Sequence, residues 1–235
     1  MPDRDEDLSL DAPWALGERK YEVLRQALAG TDVKQLLEFG SGRSTVRFAE
    51  EYAASVVYSV ESDRGHGART AEMLEVRGAT NVRLVFAELR WQRFGWRLYR
   101  TYDRRTVELP VSALLDFVLV DGPVDAKTGR GREGALHLVY DRLVVGGKVA
   151  LDDYHRVSAQ RAVRNWLATY SGLRIILDDT RLGLAILEKT SNAAGRRWPG
   201  IRPVADNYRA TVDVMARLAR AGLASRIRRN SDRSH

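Results

Sequence analysis

Short apolar runs and stretches of helical periodicity take turns along most of this chain. Residues 33–39 (VKQLLEF), 55–60 (SVVYSV), 81–87 (NVRLVFA), 114–122 (LLDFVLVDG), 148–153 (KVALDD), 173–179 (LRIILDD) and 183–189 (GLAILEK) read as buried strands. Between them, 14–29 carries Tyr21, Leu24 and Leu28 on one stripe and ends at Gly30, which suits a helix cap. A second helix is expected from Ser44, a good N-cap residue, with Val46, Ala49 and Tyr52 inward; a third spans 66–77. Further helices carry Ala135, Leu138 and Val139, then Val163, Trp166, Leu167 and Tyr170. This alternation predicts an α/β domain with a doubly wound, mainly parallel, seven-stranded sheet. The turn between the last two strands is so short that they must form an antiparallel hairpin.

Two regions break the rhythm. Residues 89–110 interleave arginine with Trp91, Phe94, Trp96, Tyr99 and Tyr102, and read as an insertion or elaborated loop. The tail, 190–235, opens with a loop containing Gly195, Pro199, Gly200 and Pro203. An amphipathic helix follows, with Tyr208, Val212, Met215 and Ala219 inward, and the basic run RIRRNSDRSH closes the chain. The expected organisation is an N-terminal acidic segment and helix over 1–32, a main domain over 33–189, and the tail.

Composition narrows the functional classes. With 235 residues, 44% of them hydrophobic, there is material for one sizeable core. Zero cysteines exclude a disulfide framework and thiolate chemistry. No apolar stretch approaches the roughly 20 residues that cross a bilayer. The start MPDRDEDLSLD lacks the features of a secretory signal, so a cytoplasmic location is expected. The net charge of +7 permits an anionic partner without identifying one.

The chemistry gathers at LLEFGSGRS, 36–44. A tight turn after the first strand of such a sheet presents unpaired N–H groups at a helix start, and Gly40 and Gly42 let a ligand approach the backbone. About twenty residues on, Glu61 ends the second strand, where an acid can accept both hydroxyls of a ribose. A nucleoside-containing ligand follows. Dinucleotide oxidoreductases share these features, but their fingerprint wants a third small residue where Thr45 stands, and Glu38 would repel a pyrophosphate. The same glutamate favours a cationic, phosphate-free nucleoside.

On EFGSGRS (38–44), VESD (60–63), DFVLVDGP (116–123), VVGGKVALDDYHR (144–156) and the terminal hairpin, the chain resembles class I S-adenosylmethionine-dependent methyltransferases. Its pattern is closest to bacterial small-molecule or sugar O-methyltransferases. The resemblance covers 33–189 outside the insertion and implies a Rossmann-like fold and S-adenosyl-L-methionine as cofactor. It implies that Glu38, Gly40 and Gly42 hold the methionine part and Glu61 the ribose, with Ser41, Ser44 and Ser62 among the cofactor-binding residues beside them. Ala87 and Glu88 would border the adenine, and Asp121 would lie near the transferred methyl. The Asn-Pro-Pro-Tyr type of motif that methylates base nitrogens is absent, since Asp-Gly-Pro-Val stands at 121–124.

Two routes could remove the proton of an acceptor hydroxyl. A general base could do so: His155 by its ordinary pKa, with Asp121, Asp152 or Asp153 orienting it or serving instead. A divalent ion such as Mg²⁺, held by Asp121, Asp152 and Asp153, is the other route and the less favoured one. Lys127, Arg130 and Arg132 are placed to form a lid that recognises an acidic group on the acceptor. The expected acceptor is a small molecule or glycan. A nucleic-acid partner using the basic tail, an NAD(P)-dependent oxidoreductase and self-association stay open as alternatives.

Overall fold

The computed structural model describes Leu10, residues 15–107, 109–110, 112–124, Thr128, residues 130–192, Val212 and Ala216. Its elements run α1 (Glu18–Leu28), β1 (Gln35–Phe39), α2 (Arg43–Glu51), β2 (Val56–Glu61), α3 (Arg64–Val76), β3 (Val82–Phe86), β4 (Leu89–Phe94), β5 (Arg97–Tyr102) and β6 (Leu115–Val120). They continue with α4 (Gly131–Val139), β7 (Leu143–Asp152), α5 (Val157–Thr169), β8 (Leu173–Asp179) and β9 (Leu184–Lys189). Seven strands form one sheet in the order β3-β2-β1-β6-β7-β9-β8. Strands β3, β2, β1, β6 and β7 pair in parallel; β9 runs antiparallel to both β7 and β8. This is the expected doubly wound sheet with its terminal hairpin.

The side-chain period of two sorts the strands' residues onto two cores. From β1 and β6, Leu36, Phe117 and Leu119 face a cluster that includes Tyr21, Leu24 and Leu28 of α1 and Phe48 of α2. Leu37, Phe39, Val118 and Val120 face the other cluster, with Ala135 and Leu136 of α4 and Val163 and Trp166 of α5. Helix α1 therefore packs directly on the sheet. Gly30, just beyond its end, takes a positive φ of 76°, as a C-terminal cap requires.

Four expectations need correction. Residues 89–110 are not merely a loop: β4 and β5 form a separate antiparallel ribbon. They are joined by Gly95, with φ 57°, and Trp96, the pattern of a two-residue turn that needs glycine first. Arg97, Tyr99 and Thr101 of β5 are buried against α4, and the closeness depends on Gly134, where a Cβ would lie 2.8 Å from Tyr99 Cβ. Second, α2 is capped by Gly42, and Ser44 lies inside its first turn. Third, β7 begins at Leu143, so Gly146 and Gly147 lie within the strand, where its pairing with β6 shifts register between Leu115 and Phe117. Fourth, Val212, expected inward, is helical but 61% exposed. The rest of the tail helix and the closing basic run lie outside the described residues, apart from Ala216.

A second buried feature ties the ribbon to the domain. Glu133 of α4 receives Arg97 Nη1 at 2.8 Å, Tyr99 Oη at 2.6 Å, Arg130 Nη2 at 2.6 Å and Asn165 Nδ2 at 3.1 Å. Its carbonyl accepts Trp166 Nε1 at 2.9 Å. Arg97 is fully buried, so this carboxylate is the counter-charge that lets the ribbon dock.

Candidate functional site

The winding direction reverses between β1 and β6, and the carboxyl ends of these strands form the switch point at which such sheets bind ligands. There Gly40, with φ 96°, sits against Gly122: a Cβ on Gly40 would lie 3.1 Å from the Gly122 nitrogen. The backbone nitrogens of Asp121 and Gly122 both donate to the Phe39 carbonyl, which locks the two strand ends together. No side chain would fit at either glycine.

Glu38 is completely buried under the turn. Its two oxygens accept the Ser44 and Thr45 hydroxyls, and Thr45 Oγ1 in turn accepts the Gly42 N–H at 3.0 Å. Burial pushes the Glu38 carboxyl up to about 7, against the lowering effect of its two hydroxyl partners. Thr45, which fills the place of a third glycine, thus orients Glu38.

Glu61 closes the other side. Its Oε2 accepts Ser41 N–H at 3.0 Å and Ser41 Oγ at 3.2 Å, and its Oε1 accepts the N–H groups of Ser62 and Asp63. The acid at the end of β2 is therefore a strut for the glycine turn as well as a cleft wall. Ala87 is buried, and its N–H donates to the Glu61 carbonyl; Glu88 is exposed and pairs with Arg90 at 3.2 Å. Glu38, Gly40, Ser41, Gly42, Glu61, Ser62, Ala87 and Glu88 thus fall at the ends of β1, β2 and β3, and Ser44 in the first turn of α2.

The ribbon supplies a residue that sequence reasoning placed only loosely. Tyr102 stacks on Phe39 at 5.2 Å, and its hydroxyl touches the space a Cβ on Gly122 would fill. Burial holds its phenol well above the ordinary range, with Glu61 adding in the same direction. Farther along the ribbon, Leu89, Arg90, Trp91, Gln92, Asp103, Arg104 and Arg105 line a cavity of about 550 Å³. Asp103 is drawn down to about 2, first by its hydrogen bond from the Arg105 side chain.

On the opposite flank, Asp121, Asp152 and Asp153 converge, with one carboxylate oxygen of each within 4.8 Å of the others. Burial, and then the neighbouring Asp152 charge, push the Asp121 carboxyl well above its usual range; Arg132 opposes this. Asp153 holds a positive φ of 57°. His155 is exposed, its Nδ1 lying 3.0 Å from the Cβ position of Gly183. Lys20, from α1, reaches the same glycine and places its Nζ 2.6 Å from Asp152 Oδ1. Nothing in the sequence marked Lys20, because a lysine on an amphipathic helix ordinarily faces water. The predicted lid is corrected too. Arg130 and Arg132 are buried in ion pairs, Arg130 with Glu133 and Arg132 with Asp121 and Asp153; Lys127 lies outside the described residues.

No protein-family model and no curated protein matches the chain. Solved structures do. The O-methyltransferase TomG from Streptomyces achromogenes, crystallised with SAM, superposes with a TM-score of 0.54 at 16% identity, over 76% of this chain and 82% of that one. The O-methyltransferase from Bacillus cereus, in complex with SAH, gives 0.55 at 12% identity, over 77% and 84%. An rRNA methylase from Streptococcus thermophilus gives 0.51 at 17% identity, over 73% and 96%. The chain has the Rossmann-like fold that these methyltransferases share.

Proposed function

We propose that the protein is an S-adenosylmethionine-dependent methyltransferase that methylates a hydroxyl of a small molecule or glycan. The observation that carries this reading is the buried Glu38 beneath the glycine turn, with Glu61 at the next strand end. Two carboxylates beside a backbone cradle disfavour a pyrophosphate and suit a cationic nucleoside. The likeness in fold to O-methyltransferases supports the same reading.

The residues present fit this donor. Gly40 and Gly42 give its methionine end access to backbone, and Glu38, held by Ser44 and Thr45, offers negative charge toward an ammonium. Glu61 accepts ribose hydroxyls once its bonds to Ser41 yield, with Ser62 beside it. Ala87 and Glu88 border the base. When bound, the donor supplies a methyl on a positively charged sulfur, open to in-line attack by an oxygen. The protein's part is to align and to dry: Tyr102 and Phe39 floor the cleft, and Asp121 faces it from β6. His155, exposed at the rim two residues beyond Asp153, takes the hydroxyl proton.

One observation favours a second reading, an RNA acceptor. The ribbon cavity is lined by Arg90, Arg104 and Arg105 together with Trp91, a combination of guanidinium and ring that suits phosphate and base. A screen of hydroxylated small molecules, glycans and RNA, read by release of adenosylhomocysteine, tests both readings. Turnover on a small hydroxylated acceptor supports the first, turnover on RNA alone supports the second, and failure to bind the donor removes both.

A further inference from the structure

The cluster of Asp121, Asp152 and Asp153 has the span of a divalent-cation site, yet one oxygen of each carboxylate is already engaged by a cation. Lys20 Nζ stands 2.6 Å from Asp152 Oδ1. Arg132 bridges the other two carboxylates, with Nη2 at 3.4 Å from Asp121 Oδ1 and Nη1 at 2.8 Å from Asp153 Oδ2. Arg156 Nη1 adds a contact to Asp153 Oδ2 at 3.1 Å. We infer that Lys20 and Arg132 take, as permanent side-chain cations, the place a divalent ion would occupy, so that this acidic cluster is organised without a metal.

Three physical arguments support the inference. The first is charge: Lys20, Arg132 and Arg156 already balance three carboxylates, so an entering divalent ion meets no net attraction and two or more close cations. A unit-charge pair at about 4 Å is worth about 4 kcal/mol near a protein surface, enough to decide against entry unless a side chain leaves. The second is burial. The Arg132 side chain is 8% exposed and also donates from Nη1 to the Asp152 carbonyl at 3.1 Å, so moving it would strand a guanidinium in a dry place. The third is anchorage. Lys20 projects from α1, which Tyr21, Leu24 and Leu28 pin to the sheet, and Arg132 projects from the first turn of α4. Two rigid elements bring the cations in from opposite sides. Mg²⁺ would in addition compete with the guanidinium and ammonium groups for carboxylate oxygens.

The inference does not depend on the proposed activity, and its test uses none. Mn²⁺ is titrated into the full chain and free ion is followed by electron paramagnetic resonance, for the native protein, Lys20→Met, and Lys20→Met combined with Asp153→Asn. The expected result is no uptake at this cluster by the native protein, an affinity at least about tenfold higher in Lys20→Met, and loss of that gain in the double variant. Should Lys20→Met fail to fold by circular dichroism, Lys20→Gln carries the same comparison. Native uptake that Asp153→Asn abolishes would overturn the inference, and so would a folded Lys20 variant with no gain.

Discussion

Gly40 and Gly122 meet across the switch point so closely that a Cβ on either would fall 3.1 or 3.0 Å from the other's backbone nitrogen. A Cβ on Gly122 would also strike the Tyr102 hydroxyl. Gly122→Ala should therefore cost about 1–3 kcal/mol in urea unfolding and weaken donor binding. Tyr102→Phe should return part of both losses, because it removes one of the colliding atoms. A double-mutant cycle measures that coupling directly.

Glu61 holds the glycine turn and, in the proposed function, also addresses the ribose; its variants should separate the two. Glu61→Ala removes the acceptor for Ser41, Ser62 and Asp63, so unfolding free energy should fall by about 1–3 kcal/mol while the circular dichroism spectrum is kept. If the same carboxylate addresses the ribose as proposed, donor affinity should fall much further, by about a hundredfold or more. Calorimetric titration of adenosylhomocysteine checks the second figure. A drop proportionate to the stability loss alone would argue that Glu61 is only a strut.

Glu38 should make donor binding depend on pH. Burial raises its carboxyl from the ordinary 4.5 to about 7, so folding favours the protonated form. That contribution to stability is complete below the unfolded value and is lost as pH rises through about 7. An ammonium favours the carboxylate, so donor affinity should rise by about tenfold per unit up to that pH and then level off. Glu38→Gln should flatten both profiles. Titrations at several pH values between 5 and 9, in one buffer series, decide it.

The buried Glu133 cluster should behave as a fastening rather than as chemistry. Glu133→Ala leaves Arg97 and Arg130 without their carboxylate and should cost about 3–5 kcal/mol. Replacing Arg97 by Met and Glu133 by Leu together should cost less than Glu133→Ala alone, because no orphan charge remains. Equilibrium unfolding of the variants provides the comparison.

The sheet was legible because its strands are short apolar runs bounded by turn residues, and Glu38, Gly40 and Glu61 sit at strand ends that the pattern alone locates. What escaped has physical reasons. In β5 the outward and inward positions are both occupied by polar or long residues, and Arg97 is buried only because Glu133, 36 positions away, neutralises it. A period-two reading sees interleaved charge there and finds a loop. The lid reading of Arg130 and Arg132 failed for the same reason, since their acids lie on α4 and just beyond the ends of β6 and β7. Ser44 looks like a cap by type, but its hydroxyl bonds Glu38 across the turn. Lys20 carries no local signal at all, and only the docking of α1 brings it to Asp152.

The most direct test of the central claim is calorimetric titration of S-adenosylmethionine and of NAD into the full chain. The account predicts one site per chain for S-adenosylmethionine and no heat of binding for NAD. Binding of NAD at the glycine turn, or no binding of S-adenosylmethionine by the folded protein, would contradict it.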